Sequence, residues 1–90
     1  MNGKTCWSAF RELEVICTKD GRRLGHPIDL EFDADGQILA LTACAPGAKP
    51  GQLFRRPPRF RVCWKDLCRV GEELLLTERY ETCAPNMNKL

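Results

Sequence analysis

KDGRRLGHPIDLEFDADGQILALTA, residues 19–43, is the stretch on which the fold turns. Ile28, Leu30 and Phe32 alternate with Asp29, Glu31 and Asp33. A period of two gives one apolar and one acidic face, the pattern of a half-buried strand. An Asp-Ala-Asp-Gly turn follows at 33–36, and a second apolar run occupies 37–43. The two runs therefore read as a hairpin. Gly25 and Pro27 interrupt the first run. A glycine inside a strand marks a bulge or a close backbone approach, and a proline needs a bulge or an edge. A long strand bent in its middle is how a small barrel turns a corner. Leu24, Ile28, Leu30 and Phe32 are expected on the interior face, together with Phe60 and Val62 from a later strand.

Outward from this stretch, EVICT at 14–18 is β-rich and reads as strand one, leading through Asp20-Gly21 into strand two at 22–33. Strands three to six are expected at 38–43, 59–64, 68–70 and 73–78. Ser8 is placed to cap one helical turn reaching Arg11, pinned to the core by Phe10 and Leu13. Residues 45–58 carry four prolines and two glycines and form a long loop, whose Leu53 and Phe54 are expected to tuck back onto the barrel. Residues 1–7 and 81–90 read as tails around one domain at 8–80. Six short strands with glycine turns and at most one helical turn describe a small all-β barrel.

Ninety residues make one domain. A chain of this size buries only about 60–65% of its unfolded surface, so a second subunit is a natural source of further burial. No apolar run approaches the roughly 18–20 residues that cross a bilayer, which argues against a membrane. The start, MNGKTCWSAF, lacks a signal-peptide core, and a cytoplasmic location is expected. Cytosolic thiols stay reduced. The six cysteines form no C-x-x-C, and His26 is the only histidine. They read as buried small hydrophobes and surface thiols, with no metal and no cofactor. A small cysteine-rich metal or redox protein is the alternative. The run from Glu31 imitates the opening of a calcium loop, but Thr42 stands where the twelfth-position carboxylate belongs. No G-x-S-x-G or H-E-x-x-H occurs and His26 has no motif neighbour, so no catalytic residue is assigned and the chain is not read as an enzyme.

Charge is unevenly placed. Arg55, Arg56, Arg59, Arg61 and Lys65 form an acid-free run, a candidate basic patch for a partner. Asp29, Glu31, Asp33 and Asp35 form a base-free one. With Phe54, Phe60 and Trp64 interleaved, the basic run offers an alternative, an RNA-binding or RNA-processing adaptor. Against it, Phe60, Val62 and Trp64 share one core face by alternation, and burial removes a stacking platform. Strand three is apolar on both sides, through Ile38 and Ala40 and through Leu39 and Leu41. A small barrel covers one side only. Leu39 and Leu41 are therefore the candidate self-association surface of a symmetric homodimer, its acidic and basic runs complementing each other between copies. The competing reading covers strand three with the tail or with Leu53 and Phe54.

EVI at 14–16, KDGRRLG at 19–25, DLEFD at 29–33, Gly36, Ile38, AL at 40–41, Pro46-Gly47, LF at 53–54, Trp64 and Val70-Gly71 occur in that order and spacing. In these residues the chain resembles the PRC-barrel superfamily, specifically its short single-domain sporulation members of the YlmC/YmxH type from spore-forming bacteria. The likeness covers about 8–80. His26-Pro27 departs from the aromatic and small pair usual there, and RRPPRFR at 55–61 is more basic than usual. The resemblance implies a six-stranded β-barrel acting as an adaptor or assembly module for another protein, without catalysis and with no active site to carry over.

Overall fold

The computed structural model describes residues 5–45 and 57–83. Seven strands make one sheet: β1 (Glu14–Cys17), β2 (Arg23–Phe32), β3 (Ile38–Cys44), β4 (Arg59–Cys63), β5 (Leu67–Val70), β6 (Leu74–Thr77) and β7 (Glu81–Cys83). One helical turn, α1 (Trp7–Phe10), precedes them, and a 3-10 turn (Trp64–Asp66) joins β4 to β5. The strand order is β5-β6-β1-β2-β3-β4-β7. Neighbours are antiparallel except β1 and β6, which run parallel from Glu14↔Leu74 to Cys17↔Thr77. The all-β reading holds, with two corrections. The sheet has seven strands rather than six, and it is open, because its edge strands β5 and β7 do not pair with each other. β7 comes from the segment read as a tail. Three residues are too few to show a period, and their strand geometry comes from pairing with β4, Arg59↔Cys83 to Arg61↔Glu81. No helix among the described residues is long and apolar enough to cross a membrane.

β2 is the hinge of the architecture. Its start pairs with β1, Ile16↔Arg23 and Val15↔Gly25, and its remainder pairs with β3, from His26↔Cys44 to Phe32↔Ile38. Gly25 sits at the changeover with φ +98°. The two halves of the sheet fold about this point and share one core. Phe10, Leu13, Val15, Leu24, Leu41, Ala43, Phe60, Val62 and Leu75 fill it, with Leu30, Trp64, Leu67, Val70 and Tyr80 packed around them. Thr77 is the buried polar member, and its hydroxyl donates to the Arg79 carbonyl at 2.9 Å. That bond satisfies a group that would be costly to bury bare.

Leu24, Phe60 and Val62 are buried as expected, and Leu30 is half-buried against the core. Ile28 and Phe32 are not: they are 44% and 57% exposed. The reason is a bulge. Pro27 pairs with Ala43 and Asp29 with Thr42, so Ile28 is skipped by the ladder. An extra residue breaks strict alternation; Pro27 takes the buried place and Ile28 is left outside. Phe32 keeps its parity but lies in the last pair before the turn, past the end of the core. Phe10 and Leu13 do anchor the short helix. Its cap, however, is Cys6 rather than Ser8, without a side-chain bond. Leu53 and Phe54 lie outside the described residues.

Candidate interaction surface

The motif-like segment KDGRRLG is absorbed by the fold. The Asp20 carboxylate accepts from the Arg22 amide at 2.9 Å and from the Tyr80 hydroxyl at 2.8 Å. The Arg22 guanidinium lies 4.9 Å from the centre of the Phe60 ring, and Tyr80 meets Phe60 edge-on at 5.5 Å. Arg23 grips Glu14 with two bonds, 2.6 and 3.1 Å. Leu24 is buried and Gly25 makes the bend. Next to them His26 holds its Nδ1 2.9 Å from the Leu13 carbonyl. A carbonyl only accepts, so Nδ1 carries the hydrogen. Glu14, Arg23, Gly25 and His26 line an open recess of about 350 Å³. Its two charged walls, Glu14 and Arg23, neutralise each other.

Three carboxyls are held below their ordinary range. Hydrogen bonds from Arg23 do this at Glu14, the Arg22 amide and then Tyr80 at Asp20, and Arg61 at Glu31. A carboxyl whose folded pKa is depressed contributes stability that is complete above its unfolded value and lost as pH falls through the folded value. The ordinary values are 4.5 for glutamate and 3.8 for aspartate. The contribution of these groups to the melting temperature is therefore expected to be flat from about pH 8 to 5.5 and to vanish progressively below about pH 4.5. Glu31→Gln should give a shallower acid limb. A melting series in which wild type and variant decline in parallel would rule out this origin.

The basic run divides. Arg55 and Arg56 lie outside the described residues. Arg59 is exposed on β4 and Lys65 on the 3-10 turn. Arg61 between them is half-buried and bound to Glu31 through two bonds, 2.8 and 3.0 Å. The acidic and basic runs thus meet inside one chain here, rather than between copies. Register explains the contact: Glu31 pairs with Ala40, Ala40 with Cys63, and Arg61 stands on the same face one step along β4. Phe60 is 1% exposed, and its ring is unavailable for base stacking. Cys44, Cys63 and Cys83 share the outer face with Arg61 and are free thiols. Cys44 and Cys83 flank Arg59 from either side, about 10 Å apart at the usual strand spacing, beyond disulfide reach. Among the described residues, no three His, Cys, Asp or Glu side chains gather where they could hold a metal.

Leu41 does not belong to a self-association surface. It is fully buried, paired on one side with Leu30 and on the other with Val62. Leu39 is 45% exposed. A second irregularity separates the two leucines: Glu31 pairs with Ala40 and Phe32 with Ile38, so the ladder skips Leu39. Around Leu39 an apolar end takes shape that sequence periodicity did not show. Phe32 closes β2 on one side. On the other, Cys63 pairs with Ala40, which brings the next residue, Trp64, alongside Leu39, where the 3-10 turn touches β3. Trp64 packs on Phe10 at 5.8 Å between ring centres, and Phe10 on Trp7 at 5.9 Å. Phe32 and Leu39 are exposed there and Trp64 is half-buried, while Trp7, also exposed, is joined to them only as a neighbour of Phe10. Trp7 sits before the first periodic segment, where no sequence signal marks it.

No family model matches the chain, and no solved structure does. An uncharacterized protein of Clostridium acetobutylicum is 28% identical over 69 residues, spanning 77% of this chain and 78% of that protein.

Proposed function

We propose that this chain is a non-enzymatic interaction and assembly module, an open, seven-stranded form of the PRC-barrel type, associated with sporulation and working in the cytoplasm. It self-associates and presents a surface to another protein. One observation carries the reading: Phe32 and Leu39, on neighbouring strands beside the turn that joins them, stand in solvent on a chain with a small core. Clustered exposed aromatic and aliphatic side chains at a polar rim mark protein contacts. The resemblance across 8–80 supplies the adaptor role. The KDGRRLG residues agree with it, since their side chains are engaged in holding the fold together.

The test is capture of partners from sporulating cells with tagged wild type and a tagged Arg59→Glu variant of the same melting temperature, Arg59 being exposed on the basic run at the end of β3 opposite Leu39. A defined protein retained by wild type and lost from the variant is the expected result. An identical retained set from both would overturn the reading. Recovery of RNA alone, released by raised salt, would overturn it in favour of the basic run as a nucleic-acid surface.

A further inference from the structure

The apolar end has a polarity that selects its occupant. Phe32 leads directly into the turn at residues 33–36, so Asp33 and Asp35 lie on one flank of Leu39. Asp33 is occupied by the turn itself: one of its oxygens accepts from the amides of Asp35 and Gln37 at 2.9 and 3.0 Å. Asp35 is exposed, and among the described residues its side chain has no ion-pair partner. On the opposite flank Trp64 leads into Lys65, likewise exposed and likewise without an ion-pair partner among the described residues. Acid on one side of an apolar centre and base on the other is the arrangement a two-fold axis makes complementary. Rotation by half a turn about the centre lays each flank on its opposite.

We infer that this end is the seam between two copies of the chain, with the two-fold axis near Leu39 and Asp35 of each copy facing Lys65 of its partner. The inference rests on the self-association in the function proposed above and gives it a surface, an axis and a charge pairing. The seam buries Phe32 and Leu39 of both copies, which a lone chain leaves in water. The flanking charges set orientation rather than the bulk of the affinity. Because the contact is isologous, each charge pair occurs twice, and any substitution in it is felt twice.

The experiment is sedimentation equilibrium at low salt on wild type, Leu39→Glu, Lys65→Glu, Asp35→Lys and the Lys65→Glu/Asp35→Lys double variant. Circular dichroism melts confirm that each folds. Wild type should be a dimer at tens of micromolar. Leu39→Glu should raise the dissociation constant about a hundredfold or more, because an unpaired charge is trapped at the axis. Each single reversal should raise it about fivefold or more, from two exposed pairs turned repulsive. The double reversal should return within about twofold of wild type, since the exchanged charges attract again. A monomeric wild type, a Leu39→Glu dimer of undiminished affinity, or a double variant as weak as the singles would overturn the seam. The two proposals fail separately. A monomer that still captures its partner protein removes the seam and keeps the adaptor, whereas an intact dimer that captures nothing does the reverse.

Discussion

Replacing Gly25 by alanine should cost about 4 kcal/mol or more and leave little folded protein at 37 °C. Two causes act together. The residue sits at φ +98°, a conformation that side-chain-bearing residues rarely adopt. A Cβ built there would stand 1.9 Å from the Cys44 carbonyl oxygen and 2.3 Å from its carbon. Those are backbone atoms of β3, held in the ladder by His26↔Cys44 and Cys44↔Arg59. They cannot rotate away as a side-chain tip could. Relief requires parting β3 from β2 at the place where the sheet folds over its core. Gly21 provides the control. It has φ +72°, but an added Cβ would meet nothing within 4 Å. Gly21→Ala should therefore show only the conformational cost, about 1–2 kcal/mol. Urea denaturation of both variants checks the comparison. Equal losses would mean that strain in φ, and not the approach of β3, governs Gly25.

That glycine shows how far local sequence reaches. A glycine two residues before a proline in a long alternating run signals a bend, and the bend is there. The strand positions of β1 to β6 were legible for the same reason: period-two runs bounded by Gly and Asp turns carry both the element and its ends. Parity was legible only until the ladder slipped. Ile28 and Leu39 occupy the two skipped positions, one on each strand of the hairpin. No composition marks a skip, so a strictly alternating count turned Ile28 inward and put Leu41 on the surface. The buried leucine and the exposed one are separated by one residue, and only the pairing of Ala40 with both Glu31 and Cys63 tells them apart. The apolar end is non-local in a stronger sense. Phe32, Leu39 and Trp64 come from three elements, and the pairing of β2, β3 and β4 brings them together. The fusion of acidic and basic runs through Arg61 and Glu31 has the same origin. Charge runs declare their sign in sequence, whereas their partner is chosen by register.

Phe60→Ala should be the most destabilising truncation in the core, by about 3–5 kcal/mol. Phe60 is the largest fully buried side chain among the described residues, and it pairs with Ala43, whose small methyl leaves the space its ring fills. Removing the ring opens a cavity that neighbouring β-strands, fixed by their hydrogen bonds, cannot close. The loss extends beyond the core. Tyr80 packs edge-on against this ring, its hydroxyl donates to Asp20, and Arg22 covers the ring face from the other end of the same turn. The ring is thus the common support that ties the turn before β2 to the segment before β7. An aromatic contact and an exposed cation–π contact each add about 0.5–1 kcal/mol to the transfer cost. Phe60→Leu separates the contributions. It retains most of the volume while losing the ring, and it should cost about half as much as alanine. Arg22→Ala should then cost measurably in the wild-type background and almost nothing in Phe60→Leu, because its partner face is gone. Chemical denaturation of the four proteins gives the coupling directly. An Arg22→Ala penalty of the same size in both backgrounds would show that the guanidinium contributes through packing on Tyr80 and not through the Phe60 ring.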